Sequence, residues 1–205
     1  IVTTNKTDFF REPNHFAFLL DTALVDLVQF GHRNYINAWS AASSTGEEPY
    51  TMAMIFEQFR TKNPGVDYSI LATDISGEVL RIAKKGTYPA EKIIPIPLEF
   101  KKKCLLRHKD RLRNDFRITP ELRCKVSFAR LNLMANSYNM GRRFEIIFCR
   151  NVLIYFERQI QEEIIKKLFL HLVPGGYFFL GHSETLAGMS LGFTSVGPNV
   201  YKKPD

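Results

Sequence analysis

Short apolar runs of β type alternate with helical patterns along most of this chain. That alternation narrows the fold to a largely parallel sheet with helices packed on both faces. The runs cover residues 35–42, 68–73, 126–129, 144–149 and 177–180. Before the first, residues 14–30 carry Phe16, Leu19, Leu20, Ala23, Leu24, Leu27 and Val28 in a 3-4 stripe, with Gly31 as a stop. After it, Ser43-Ser44-Thr45-Gly46 makes a turn, and Glu47, Glu48 and Pro49 open a helix to about Lys62. Acids and proline suit a first helical turn. Asn63-Pro64-Gly65 ends that helix. Ser76 can cap the next one, which carries Val79, Leu80, Ile82 and Ala83 and stops at Gly86. Residues 158–172 form another, with Ile160, Ile164, Ile165, Leu168 and Leu172 inward. Pro174-Gly175-Gly176 turns the chain into its fifth run, and residues 193–196 and 200–203 flank Gly197-Pro198-Asn199 as a closing hairpin.

One stretch breaks the alternation. Residues 88–125 are rich in proline and basic side chains and hold only short β-like pieces, at 116–118 and 123–128. They read as an insertion, a short helix with a small antiparallel unit, inside a single domain of 205 residues. Cys104, Cys124 and Cys149 are odd in number and lack C-x-x-C spacing, which argues against a disulfide or zinc framework. The five histidines are scattered, so no metal site is expected. No apolar run approaches the roughly 20 residues of a membrane span. The formal charge of +7 fits nucleic acid, an anionic membrane surface or an acidic protein partner, or ordinary solubility.

Ligands of doubly wound sheets bind at the carboxyl ends of the strands. The first such end is Ala41-Ala42-Ser43-Ser44-Thr45-Gly46-Glu47-Glu48. Its small residues allow close backbone approach, yet it is neither G-x-G-x-x-G nor a P-loop. Its two glutamates would repel a phosphate and would suit a cationic nucleoside; the other reading is a tight turn with capping acids. The second end carries Asp74, at the place where dinucleotide folds hold a ribose hydroxyl; an Asx turn is the alternative. The third is Leu131-Asn132-Leu133, which could hold an adenine or simply cap a helix. The fourth is Cys149-Arg150-Asn151, followed at Tyr155 by an aromatic hydroxyl. An Arg-Asn pair is an odd ending for a purely structural strand. Near the start, Thr7 and Arg11 would share a face if helical, and a guanidinium there could grip a carboxylate; a frayed terminus is the alternative.

Taken together, T-T-N-x-T-x-F-F-R-E, S-T-G-E-E-P-Y, A-T-D-I, L-N-L, I-F-C-R-N-V-x-I-Y-F and P-G-G-Y-F-F-L-G-H-S-E closely resemble the chemotaxis receptor glutamate O-methyltransferases. The likeness runs in order from Thr3 to about Lys203. It implies the Rossmann-like fold of methyltransferases dependent on S-adenosylmethionine (AdoMet): a mainly parallel seven-stranded sheet with helices on both faces and a small inserted antiparallel β-subdomain. It implies AdoMet as methyl donor, S-adenosylhomocysteine as product, and the cytoplasmic domain of membrane chemotaxis receptors as partner. A cytoplasmic monomer that neither inserts into the membrane nor binds nucleic acid is then expected. Carried over by position, the cofactor contacts fall on Asn5, Thr7, Arg11, Glu48, Asp74, Asn132, Leu133, Arg150 and Asn151. Arg11 and Tyr155 match the pair that orients donor and acceptor. The front helical domain usual in the family has no counterpart here, and the insertion is where some relatives grip a receptor tether.

Two other functions fit parts of the sequence. The positive charge suits a nucleic-acid methyltransferase, but Arg150-Asn151-Val152-Leu153 stands where such enzymes carry an Asn/Asp-Pro-Pro-aromatic loop. A non-catalytic cofactor sensor would not need Arg11 and Tyr155. Lys101, Lys102, Lys103, Arg107, His108, Lys109, Arg111 and Arg113 form a basic cluster in the insertion, either a docking face for acidic helices or a solvated surface. His182 reads as a turn residue.

Overall fold

The computed structural model describes residues 6–110, 114–189 and 191–205. Its centre is β1 (Tyr35–Ala41), flanked by β2 (Asp67–Asp74) on one side and by Phe144–Cys149 on the other, both parallel to it. In chain order the remaining strands are β3 (Thr87–Pro89), β4 (Leu105–Arg107), β5 (Asp115–Ile118), β6 (Val126–Arg130), β7 (Phe144–Cys149), β8 (Leu172–Leu180), β9 (Thr194–Gly197) and β10 (Val200–Lys202). Seven of them form one sheet in the order β6-β2-β1-β7-β8-β10-β9. The first five are parallel, and β10 runs antiparallel to β8 and β9. This is the Rossmann-like sheet expected from the sequence.

Side chains alternate across the sheet because strand residues point to opposite faces. Ile36, Ala38, Ile146, Phe148, Tyr177 and Phe179 face one apolar cluster. Trp39, Ala41, Ile147, Cys149, Phe178 and Leu180 face the other. The first face is covered by α1 (Pro13–Phe18), by the helical turns that continue it, and by α2 (Glu47–Lys62). The helices α3 (Gly77–Lys85), α4 (Leu98–Cys104) and α5 (Pro120–Arg123) follow, and α6 (Arg158–His171) covers the second face through Ile164, Ile165 and Leu168.

The insertion contains a three-stranded antiparallel sheet, β3-β5-β4. Ile93, Ile96, Phe100, Cys104, Ile118 and Leu122 bury against the same cluster as α2, so this unit is welded to the body rather than hung from it.

Local signals in the sequence are largely realised. Ser76 accepts from the Val79 amide at 3.4 Å, and Gly86 stops α3 in the left-handed conformation (φ 60°). Gly46 (φ 96°) enters α2 so tightly that a Cβ would lie 2.9 Å from the Tyr88 hydroxyl and from the Ala83 Cβ. Several expectations change. The helix over 14–30 forms, but Leu19–Ala23 and Asp26–Phe30 are π-helical, a wider coil that apolar spacing alone does not reveal. The β-like piece at 123–128 divides between the end of α5 and the start of β6. Pro174-Gly175-Gly176 lies within β8 as an irregular register step against β7.

Candidate cofactor site

The carboxyl ends of β1, β2, β6 and β7 open on one cavity of about 280 Å³ at the point where strand order reverses. Thr7, Arg11, Glu48, Asp74, Asn132, Leu133, Arg150, Asn151 and Tyr155 all line it. Asn5 lies outside the described residues. Ala42, Ser43, Ser44, Thr73, Ile75, Leu131 and Met134 complete much of the wall.

The segment ahead of α1 is neither helical nor frayed over the described residues. Phe10 (φ 53°) and Glu12 (φ 58°) adopt left-handed backbone, which a helix over Thr7 and Arg11 could not contain. Two rings hold it instead. Phe9 is buried edge-on to Tyr88 at 4.9 Å, and Phe10 packs against Phe16 and Phe100 while its amide donates to Thr51 Oγ1 at 3.2 Å. The Lys92 ammonium donates to the Thr7 carbonyl at 2.7 Å, and Arg11 Nη1 donates to the Lys6 carbonyl at 2.8 Å.

At the end of β1 the chain turns through Ala42 (φ 62°) and Ser44 (φ 49°). Asp74 joins this turn to the end of β2. One carboxylate oxygen accepts from the Ser44 amide and the other from the Ser76 amide, both at 2.9 Å. The Asx turn is therefore formed, and Asp74 also lines the cavity. Asn132 likewise closes its own turn, Oδ1 accepting from the Met134 amide at 2.9 Å. No helix follows it, so the capping alternative fails, and the buried Leu133 forms the cavity floor there.

Arg150 is the electrostatic centre of the wall. Its side chain is only 1% exposed and packs against the rings of Phe16 and Phe148. Nη1 donates to Glu48 at 3.2 Å, and Nη2 donates to Glu12 at 2.8 Å and to the Arg11 carbonyl at 2.6 Å. Glu48 also accepts from the Ser40 hydroxyl at 2.8 Å. Burial pushes the Glu48 carboxyl above its ordinary value, with Arg150 and Ser40 pulling the other way. Glu12 behaves oppositely. Burial would raise it, but hydrogen bonds from Asn151 and Arg150, and the charge of Arg150, bring it down to about 2.

Asn151 (φ 58°) begins a loop clamped by a single buried acid. Glu184 accepts from the amides of Gly181, Asn151, Val152 and Leu153 at 2.7, 2.8, 2.9 and 2.7 Å. Gly181 permits this closeness, since a Cβ there would lie 2.9 Å from both the Asn151 amide and Glu184 Oε2. The loop delivers Tyr155, 42% exposed, to the cavity from a short 3-10 turn.

Glu12 and Glu184 were not singled out by sequence reasoning, although each closes one of the motifs quoted above. Glu12, His15 and His182 bring three possible metal-ligand atoms within 4.8 Å of one another, an arrangement the scattered histidines did not suggest. The Glu12 oxygens there are already engaged by Arg150 and Asn151.

Among the described residues, three buried polar atoms of the wall have no hydrogen-bond partner: Ser43 Oγ, Ser44 Oγ and Arg150 Nε. A polar ligand would satisfy such atoms. The family profile described as CheR methyltransferase, SAM binding domain, matches residues 5–201. This chain belongs to the CheR methyltransferase family. Chemotaxis protein methyltransferase 2 of Pseudomonas aeruginosa is 40% identical over 98% of this chain and 70% of its own length. The chemotaxis protein methyltransferases of Borreliella burgdorferi and Escherichia coli are each 38% identical over 98% of the chain, covering 71% and 68% of theirs. Among solved structures, the glycopeptide N-methyltransferase MtfA with S-adenosyl-L-homocysteine matches at TM-score 0.47 and 14% identity, over 85% of this chain and 54% of that one. As a CheR-family chain this is an AdoMet-dependent methyltransferase of chemotaxis.

Proposed function

We propose that the chain transfers the methyl group of AdoMet to glutamate side chains on the cytoplasmic domain of chemotaxis receptors, forming methyl esters and S-adenosylhomocysteine. One observation carries the site assignment: nine residues named from separate sequence motifs, Thr7, Arg11, Glu48, Asp74, Asn132, Leu133, Arg150, Asn151 and Tyr155, line a single cavity. With Asn5 they form the proposed cofactor and catalytic set. Asp74 and Glu48 are the candidate partners for ribose hydroxyls and cationic groups, and Leu131 and Leu133 the apolar walls for a base. The reading implies an enzyme acting on the cytoplasmic side. No helix among the described residues is long and apolar enough to cross a membrane.

AdoMet supplies an electrophilic methyl on a sulfonium. A glutamate carboxylate, with an ordinary pKa near 4.3, is already an anion at neutral pH. The protein therefore needs no base to activate it, and the described cavity lining contains no histidine. What remains is alignment and exclusion of water, effects worth roughly 7–11 kcal/mol when positioning is good. In this reading Arg11 and Tyr155, which both line the cavity, hold the reacting groups in line. The basic face of the insertion, residues 88–125, is the candidate contact for acidic receptor helices.

The test is labelled AdoMet incubated with receptor-bearing membranes, with RNA, and with neither. Base-labile label on receptor protein is the expected result; label on RNA, or tight cofactor binding without transfer, rejects the proposal. Arg11→Ala and Tyr155→Phe should each cut turnover about 100-fold or more while the fold is retained. Wild-type rates in either variant would remove that residue from the mechanism.

A further inference from the structure

We infer that Glu12, which does not line the cavity, is a positioning residue that locks the backbone of Arg11 to the loop carrying Asn151 and Tyr155. The inference rests on the reading that Arg11 and Tyr155 act on the reacting groups, and it adds how two segments far apart in sequence are held in register.

Both carboxylate oxygens of Glu12 face that loop and its surroundings. Oε1 accepts from Asn151 Nδ2 at 3.0 Å and from the His182 amide at 3.3 Å. Oε2 accepts from Arg150 Nη2 at 2.8 Å, and the same nitrogen donates to the Arg11 carbonyl at 2.6 Å. One guanidinium edge thus grips two consecutive residues of the N-terminal segment. The loop side is equally firm. Glu184 collects the amides of Asn151, Val152 and Leu153, and the Tyr155 amide donates to the Val152 carbonyl at 3.3 Å. A continuous chain of charge-assisted hydrogen bonds therefore runs from the Arg11 backbone to the turn that presents Tyr155.

The backbone shows why such a tether is needed. Arg11 sits between Phe10 and Glu12, both in left-handed conformation. Non-glycine residues there are strained and persist only where the surroundings over-determine them. Phe10 has its ring contacts and the bond to Thr51. For Glu12 the counterpart is its set of side-chain hydrogen bonds. Without them the segment could relax toward ordinary φ and swing the Arg11 side chain away.

The discriminating substitution is Glu12→Gln. It keeps the shape and can still accept from Asn151, but it turns an amide donor toward Arg150, which retains Glu48 as partner. Turnover should fall about 10- to 100-fold, by a larger factor than the Kd for AdoMet weakens, because Glu48, Asp74 and Leu133 line the cavity without touching Glu12. Glu12→Asp keeps the charge one methylene short and should give an intermediate rate. In the Arg11→Ala background the same Glu12→Gln change should cost almost nothing further, because a residue that acts through Arg11 has nothing left to position. A merely structural Glu12 would lower cofactor affinity and turnover together, or lose the same factor in both backgrounds, and either result overturns the inference. If Glu12→Gln does not fold, Glu12→Asp enters the same cycle. Wild-type turnover in Arg11→Ala alone would instead overturn the reading of Arg11 itself.

Discussion

Backbone in the left-handed region marks this site more sharply than side-chain chemistry does. Among the described residues, seven non-glycine positions have positive φ, and five of them, Phe10, Glu12, Ala42, Ser44 and Asn151, line the cavity or flank Arg11. Strain of this kind concentrates where geometry is held for function. Glu48 is the corresponding electrostatic device. Its half-buried carboxyl is displaced upward by desolvation despite Arg150 and Ser40, so a cationic ligand at the cavity would relieve part of that cost. Replacing it by glutamine should weaken AdoMet binding about tenfold or more, the scale of a hydrogen bond to a charged group, measured by calorimetric titration. An unchanged Kd would place Glu48 among purely structural acids.

At the scale of elements, the loop after β7 depends on an acid more than thirty residues away. Glu184→Ala would leave the amides of Gly181, Asn151, Val152 and Leu153 without their acceptor. Unsatisfied buried donors cost about 1–3 kcal/mol each before relaxation, so Tm should drop by on the order of 10 °C in a chain of this size. A thermal melt unchanged in Tm would mean that the loop finds other acceptors. This clamp also shows what the sequence could and could not disclose. The bounds of α2 and α3 were legible because proline, serine and glycine act locally. The strands were legible because β7, for example, is an apolar run buried on both faces. The strand ends could be named together because parallel topology brings them to one cavity. The roles of Glu12 and Glu184 could not, because each is defined by partners distant in the chain. The π-helical turns were equally hidden, since i+3 and i+4 spacing reads alike for either coil.

For the whole molecule, acid stability should be governed first by His15 and then by Glu12. Burial, then Arg150, hold the buried His15 imidazole down from 6.5 to about 4. The unfolded chain takes up that proton before the native one does, so stability falls as pH drops from about 6.5 towards 4. Glu12, lowered from 4.5 to about 2, adds a second loss below 4.5 as its ion pair is protonated away. Tm followed against pH should show the first decline beginning near neutrality, and His15→Gln should flatten it; an identical slope in the variant would exclude His15 as the cause. Charge on the surface predicts a separate effect. Lys102, Lys103, Arg107, His108 and Lys109 are exposed, whereas Arg111 and Arg113 lie outside the described residues. If this face meets acidic receptor helices, raising ionic strength should raise KM for receptor and leave kcat nearly constant. A KM indifferent to salt would free the patch of that role.

The cavity wall is assembled from residues 6 to 156, drawn from strand ends that meet only when the parallel sheet is complete. An unfolded or half-built chain therefore has nothing with which to hold the methyl donor, and binding becomes a tax levied on unfolding. At a hundredfold excess over Kd the donor would add about 2.7 kcal/mol to the native state. The supply of methyl donor would then set how long each copy of the enzyme survives, as well as how fast it works.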